Sequence, residues 1–263
     1  MALFRRRIEV LIEDTNRSYS YPQLEIKFSG EFNQDAEPNL YEVTIYNLSK
    51  DSIQNIAVGN KIILNAGYQD DIGSIAAGFI TKVETDTSKV DVSTTIEFQD
   101  ASNRWLQTRV NRTFSGPVTA EYILRELTSD VGLELGNIQL NNNKTYQTGK
   151  TFRSSIASAI RQIARETGTP VNIANGRIDF MADGVGLETG FVLNSSTGLI
   201  GSPERIEDKD SRAEYKVRML MNHNIRPRSV ILVESTTFNG FAYIVKGSYN
   251  DDFTITCEIA RRL

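Results

Sequence analysis

The residues that come nearest to a phosphate-binding loop are Gly149-Lys150-Thr151. A loop of that kind needs a glycine five positions before Gly149, but position 144 is Lys, and no suitable strand leads in. The triplet reads instead as a turn in which Thr151 caps a helix. His223 is the single histidine and stands in Met-Asn-His-Asn at the end of a strand. With no second histidine or nearby cysteine it reads as a surface or turn residue. Cys257 is the single cysteine, which excludes an internal disulfide and a cysteine-rich metal site. It alternates with Glu258 on the last strand and reads as a buried, inert thiol. Asp70-Asp71 and Asn250-Asp251-Asp252 are the acidic groups that could attract a cation, but both fall in tight hairpin loops where Asp and Asn serve turn geometry. No Asp/Glu pair sits in a hydrolase context. Arg5-Arg6-Arg7 and Arg261-Arg262 place basic residues at both ends, suited to solvent, to an acidic neighbour or to nucleic acid. No catalytic, cofactor-binding or metal-ligating residue is assigned, and the chain reads as a non-enzyme.

Composition narrows the class further. The 263 residues suffice for one large domain or two to three small ones. Hydrophobic content of 40 % and charged content of 24 % are ordinary for a globular protein. A net charge of −4 argues against a dedicated nucleic-acid binder. No apolar run has the length to span a bilayer, so no stable membrane insertion is expected. Glu9, Glu13 and Asp14 interrupt what would be a signal h-region, so synthesis in the cytoplasm is expected.

The stretch Leu40 to Val83 organises the chain. Tyr41, Val43 and Ile45 alternate with polar residues as in a half-buried strand. Ser49 suits the N-cap of a short helical turn carrying Ile53 and Ile56. Gly59-Asn60 turns into a strand at Lys61–Leu64. A polar loop follows from Gly67 to Gly73, then a strand from Ser74 to Val83 with a bulge or close approach at Gly78. Arg7–Glu13, Leu24–Phe28 and Val90–Phe98 alternate as further strands. The segment Ser18–Pro22 reads as a connector. Residues 1–109 therefore read as a β-barrel or sandwich.

After Trp105 the pattern changes, and Ser115-Gly116-Pro117 signals a boundary. Thr119 caps a helix whose Ala120, Ile123, Leu124, Leu127 and Val131 share one face, stopped by Gly132. Asn137 to Gln147 reads as a polar loop with a short strand. A second helix starts near Phe152, carries Ile156, Ala159, Ile160, Ile163 and Ala164 on its apolar stripe, and ends at Gly168. Val171–Ile173, Asn175-Gly176 and Arg177–Phe180 form a hairpin. Residues 110–189 thus read as an α+β insert with two amphipathic helices. From Thr197-Gly198-Leu199-Ile200-Gly201-Ser202-Pro203 the chain is all-β again, with strands at Glu214–Met221, Ser229–Glu234, Gly240–Lys246 and Thr254–Ile259. Residues 190–263 read as a second barrel. The fold class is mainly β with an α+β insert.

The last part repeats the first. Tyr41-Glu-Val-Thr-Ile compares with Tyr215-Lys-Val-Arg-Met, Lys61-Ile-Ile-Leu with Ser229-Val-Ile-Leu, and Gly78-Phe-Ile-Thr-Lys-Val with Gly240-Phe-Ala-Tyr-Ile-Val. The matched pieces keep their order, as an internal duplication requires.

An ordered set of motifs carries a family resemblance: Val43-Thr-Ile-Tyr-Asn-Leu-Ser49, Gly59, Leu64-Asn-Ala-Gly-Tyr68 and Gly78-Phe-Ile80. It continues through the paired helices ending in Thr167-Gly168, the Asn175-Gly176-Arg-Ile-Asp-Phe180 hairpin and Gly198-Leu-Ile-Gly-Ser-Pro203. In that order the chain resembles the baseplate hub proteins of phage tails, the late control protein D family, over essentially its whole length. The resemblance implies two tail-tube-like barrels separated by the insert. It implies a homotrimer at the distal end of the tail tube, whose six barrels meet a hexameric tube protein while the far face holds a spike or tip protein. Other baseplate proteins would surround it, and DNA would pass through the lumen without specific binding. The expected location is the virion tail baseplate, of a phage or of a related contractile injection machine. The chain is short for the family and stops after its last strand, so the spike is expected to be a separate polypeptide. The alternative from another class is an OB-like barrel binding single-stranded nucleic acid on Tyr41, Tyr46, Tyr68 and Phe79; that needs a basic groove, and the surrounding charges are mixed. A cell-wall hydrolase is a third class, and it lacks its carboxylate pair.

Overall fold

Alternating apolar side chains bury one face of each strand in the first of two compact units. Ile8, Val10 and Ile12 do so on β1 (Arg6–Ile12), Val43 and Ile45 on β4 (Leu40–Tyr46), Ile96 and Phe98 on β7 (Ser93–Gln99). The structure is a computed structural model that describes residues 5–33, 38–69, 71–100, 105, 107–131, 133–174, 176–182, 184–208 and 211–262. The first unit takes the described residues within Met1–Asn33, Asn39–Gln99 and Gly186–Leu263; the second takes those within Gln34–Pro38 and Asp100–Val185. The molecule is mainly β with a small α+β insert.

Among its described residues the first unit holds one sheet of thirteen strands. Besides β1, β4 and β7 these are β2 (Arg17–Tyr21), β3 (Ile26–Phe32), β5 (Lys61–Tyr68) and β6 (Asp71–Asp86) from the first half. The second half supplies β15 (Leu187–Leu193), β16 (Leu199–Arg205), β17 (Tyr215–Leu220), β18 (Ser229–Glu234), β19 (Asn239–Asn250) and β20 (Thr254–Arg261). The strand order is β16-β17-β20-β19-β3-β4-β7-β6-β5-β1-β2, with β18 beside β19 and β15 beside β18.

That order contains one arrangement twice. Taken in chain sequence, β1, β3, β4, β5, β6 and β7 occupy the places that β15 to β20 occupy in the second half. Each set runs second, third, sixth, fifth, fourth, first, as shown by β3-β4-β7-β6-β5 against β16-β17-β20-β19-β18. The correspondence holds residue by residue. A bulge falls at Thr81, between Ile80 opposite Phe98 and Lys82 opposite Glu97; another falls at Val245, between Ile244 opposite Ile259 and Lys246 opposite Glu258. Lys82 then ion-pairs with Glu97 at 3.2 Å, as Lys246 does with Glu258 at 3.2 Å. The Ile80 carbonyl accepts from the Gly59 amide (2.8 Å) and the Ile244 carbonyl from the Arg228 amide (2.9 Å). Gly59 and Arg228 both have positive φ, +92° and +71°. The halves differ at one end: β1 runs antiparallel to β5, whereas β15 runs parallel to β18. Of the three sequence matches, Tyr41 with Tyr215 is in register. The structure aligns Lys61 with Val230 rather than Ser229, and Gly78 with Ala242 rather than Gly240. A slip of one residue would exchange the two faces of a strand, and Ile62 and Ile231 are the pair buried alike.

Several local expectations need correcting. Gly67 to Gly73 is not a loop: β5 continues to Tyr68 and β6 opens at Asp71, because cross-strand pairing extends both strands almost to the turn. Asp70, at that turn, lies outside the described residues. Gly78 is not a bulge; it stands in register opposite Ile62, and the bulges fall at Ile75 and Thr81 on either side. Val90 does not begin a strand; it is exposed, and β7 starts at Ser93. The expected connector at Ser18–Pro22 is strand β2 from Arg17, paired along β1. Thr197–Pro203 is in part strand, as β16. Ser49 does cap α1 (Lys50–Gln54), accepting from the Ser52 amide at 3.1 Å.

The second unit contains α2 (Ala120–Ser129) and α3 (Ile156–Thr167) over a core of its own. Thr119 caps α2 by accepting from the Tyr122 amide, and Ala120, Ile123, Leu124 and Leu127 are buried as the stripe requires. Gly132 lies outside the described residues. The expected cap of α3 is corrected: Thr151 lies in β12 (Lys150–Ser155), paired along β8 (Arg109–Phe114), and Ser155 caps the helix from its side chain to the Ser158 amide. Pairing with β8 overrides the helical reading of Phe152-Arg-Ser. Gly168 ends α3 in the left-handed conformation, φ +66°, as a C-cap glycine does. The hairpin is present as β13 (Val171–Ala174) and β14 (Arg177–Met181); Asn175 in its turn lies outside the described residues. β14 also takes β10 (Glu134–Gln139) in parallel, which begins ahead of the polar loop with a short strand expected over Asn137 to Gln147. β9 (Val118–Thr119) pairs with β11 (Thr145–Tyr146), so Ser115–Pro117 is a connection inside this unit.

Candidate functional site

Gly149 has φ +85°, and a Cβ there would stand 2.2 Å from the Phe114 carbonyl oxygen, so its backbone packs closely on β8. The Lys150 ammonium donates to Glu166 at 2.6 Å and lies 4.9 Å from the Tyr146 ring centroid. Glu166 also accepts from the Tyr146 hydroxyl (2.6 Å) and the Gln162 amide (2.9 Å). Burial pushes the Glu166 carboxyl up, but these three donors and the lysine charge outweigh it and hold it down at about 2. Burial, and the carboxylate it serves, push the Tyr146 hydroxyl well above its ordinary value.

His223 is a turn residue as expected, but a tied one. Its Nε2 lies 2.9 Å from Asp71 Oδ1, and its ring covers Gly73 so closely that a Cβ there would meet Nδ1 at 2.3 Å. The pair joins the turn after β17 to the start of β6. Cys257 is fully buried on β20, and that burial pushes its thiol up, which keeps it protonated and inert. Asp252 pairs with Arg218 and accepts from the Thr254 hydroxyl; that hydroxyl first, then the guanidinium, hold its carboxyl below the usual range. Among the described residues, no three His, Cys, Asp or Glu side chains are placed to hold one metal ion. Three of the five terminal arginines are engaged within the first unit. Arg6 covers the Phe253 ring, Arg261 covers Phe238 at 4.6 Å, and Arg262 pairs with Glu188.

The aromatics offered to a single strand of nucleic acid are not a platform. Tyr41 is buried and stacks on Phe98 at 5.2 Å; Tyr68 is buried edge-on to Phe253. Bases need exposed π-faces along a basic groove; Tyr41 and Tyr68 are core, and Tyr46 and Phe79 are half-buried.

What remains available is backbone. β6 is sixteen residues long, yet β5 covers only its Asp71–Phe79 portion, with Gly59 and Asn60 bonding Ile80. Among the described residues, Thr81–Asp86 has a partner on the β7 side alone. Among the described residues β16, at one end of the sheet, pairs with β17 alone, as β2 does with β1 and β15 with β18. Sequence reading missed the free stretches of β6 and β16. Pro203, which lacks an N–H and suits edge strands, is the one local signal of the second.

Solved structures share this fold. The 43 kDa tail protein of prophage MuSo2 from Shewanella oneidensis aligns with a TM-score of 0.69 and 8 % identity, over 97 % of this chain and 98 % of that one. The tail protein from Neisseria meningitidis MC58 aligns at 0.68 and 8 %, over 97 % and 96 %. The fold is that of phage tail proteins. An E. coli component of the type VI secretion system, which exhibits structural similarity to the T4 tail proteins gp27 and gp5, aligns at 0.60 and 10 %, over 90 % and 74 %. No family model matches the sequence, and no curated protein matches it. The tail-protein fold therefore stands on geometry. No described helix is long and apolar enough to cross a membrane.

Proposed function

We propose that this chain is a structural, non-enzymatic hub of a phage tail or related injection machine, located in the tail baseplate. Three copies form a ring that adapts a sixfold tail tube to a threefold spike and surrounds the DNA channel. The observation that carries the reading is the duplicated strand order within the first unit. One chain offers two equivalent modules, so three chains offer six positions to a hexameric tube while the ring stays threefold in detail. Residues 1–109 and 190–263 act as the two tube-like barrels, and 110–189 as the insert. The partners are the tail tube protein, a spike or tip protein and other baseplate proteins; DNA passes without being gripped.

The tail-protein fold over nearly the whole chain supports this reading. The test is capture of the purified chain on tail tubes, with the stoichiometry read by mass. Three chains at one tube end support the hub. Lateral decoration of the tube, or no association, overturns it.

A further inference from the structure

We infer that a second copy of this chain pairs the free outer edge of its β16 with the free half of β6, repeating between chains the strand pairing that joins β3 to β19 within one. Inside the chain the two modules meet where β3 docks on β19: Phe32 opposite Gly247, Glu31 opposite Ser248 and Gly30 opposite Tyr249. That contact uses the stretch of β19 just past the Val245 bulge, where β18 has already ended.

The equivalent stretch of β6 lies just past the Thr81 bulge, where β5 has ended. By the correspondence that matches Lys246 to Lys82, the residues equivalent to Gly247, Ser248 and Tyr249 are Val83, Glu84 and Thr85. The strand equivalent to β3 is β16. Tyr41 faces Gly30 as Tyr215 faces Arg205, so Gly30, Glu31 and Phe32 correspond to Arg205, Ile206 and Glu207. The Ile206 amide bonds the Glu214 carbonyl (2.8 Å), which directs Ile206 toward β17 and turns Arg205 and Glu207 outward. Upstream, the Pro203 carbonyl is taken by the Thr237 hydroxyl, so the free stretch begins beyond it.

Each chain therefore carries one occupied and one empty example of the same joint. Its β19 site is filled by its own β3; its β6 site and its β16 edge have no partner among the described residues. The two loose edges complement each other, not themselves, so the contact is head-to-tail and propagates to a ring or a filament. The predicted register sets Arg205 opposite Thr85, Ile206 opposite Glu84 and Glu207 opposite Val83, antiparallel. The side chains differ from those of the inner joint. Phe32 over Gly247 is apolar and permanent, whereas Glu204, Arg205 and Glu207 keep the outer edge polar and Pro203 removes a donor from it, as suits an edge exposed before assembly.

This assignment rests on the hub reading for the number of copies, but its register can be tested separately. Ile206 and Glu84 form a non-hydrogen-bonded pair in the predicted ladder, with Cα atoms close enough for a disulfide. The full-length Glu84→Cys/Ile206→Cys variant is oxidised at high concentration and resolved without reductant. Cys257 is buried and stays out of the reaction. A Val83→Cys/Ile206→Cys variant places the thiols on opposite faces and serves as the comparison. Within one chain six strands separate the two edges, so a bridge reports two copies. The expected result is intermolecular cross-linking at least about tenfold faster for the matched pair, since pairing fixes a high local concentration. Equal rates overturn the register, and if the chain still forms a trimer by light scattering the hub reading survives. A monomer that nevertheless cross-links selectively supports the edge pairing and counts against a stable ring.

Discussion

Phe32 closes over Gly247. A Cβ on Gly247 would stand 2.6 Å from the end of the Phe32 ring and 2.7 Å from the Thr256 carbonyl, so β3 and β19 approach as they do because residue 247 has no side chain. Phe32 also packs on Tyr249 at 4.8 Å between centroids. Gly247→Val is expected to cost about 1–3 kcal/mol by overpacking this joint. Urea denaturation of the full chain measures it; an unchanged midpoint would contradict the close fit.

The Glu166 cluster makes stability depend on pH in acid. Its folded value, about 2, lies below the ordinary 4.5, so the ionised carboxylate stabilises the fold above pH 4.5 and that contribution is lost as pH falls toward 2. Its side chain is 23 % exposed, and the expected loss is about 2 kcal/mol across that window. Glu166→Gln should be less stable at neutral pH and lack this acid-linked part. Thermal melts of the two proteins between neutral pH and about pH 2 compare the slopes; parallel slopes would contradict the assignment.

Two hydroxyls distinguish strand from helix cap at the start of α3. Ser155→Ala should cost about 1 kcal/mol, because it frees the Ser158 amide. Thr151→Ala should cost less, since Thr151 is exposed and its hydroxyl meets only that of Thr113. Within the helix, Ile160→Asp would bury an unpaired charge at a fully covered position, with a loss of about 3 kcal/mol or more. Denaturant midpoints rank the three. A larger loss at Thr151 than at Ser155 would return the helix start to the position read from sequence.

Binding of duplex DNA by the isolated chain should be weak. The net charge is −4, and Arg6, Arg261 and Arg262 are committed to Phe253, Phe238 and Glu188. Each phosphate neutralised by Lys or Arg would add salt-sensitive affinity. Tight binding that weakens steeply with salt, measured by fluorescence anisotropy, would contradict a channel that lets DNA slide.

Much of this molecule was legible because local rules suffice where one face of an element is buried. The Ser49 and Thr119 caps, the Ala120–Leu127 stripe and the alternation at Val43 and Ile45 are decided within a few residues. The errors fall where a distant strand decides. Arg17–Tyr21 and Lys150–Ser155 are polar-rich segments made into strands by pairing with β1 and β8. Leu187–Leu193 lacks clean alternation because its parallel partner β18 sets its exposure. The repeat was visible in order but slipped in register at Lys61 and Gly78, since short β-segments resemble one another at several offsets. The free edges of β6 and β16 leave no hydrophobic signature, because an edge is a property of backbone.

The most direct test of the hub account is the mass of the assembled particle, by light scattering or native mass spectrometry across a dilution series, alone and with tube and spike proteins. The account predicts three copies of the 29.5 kDa chain in the particle that caps a tube. A single copy at every concentration, with both partners present, would contradict it.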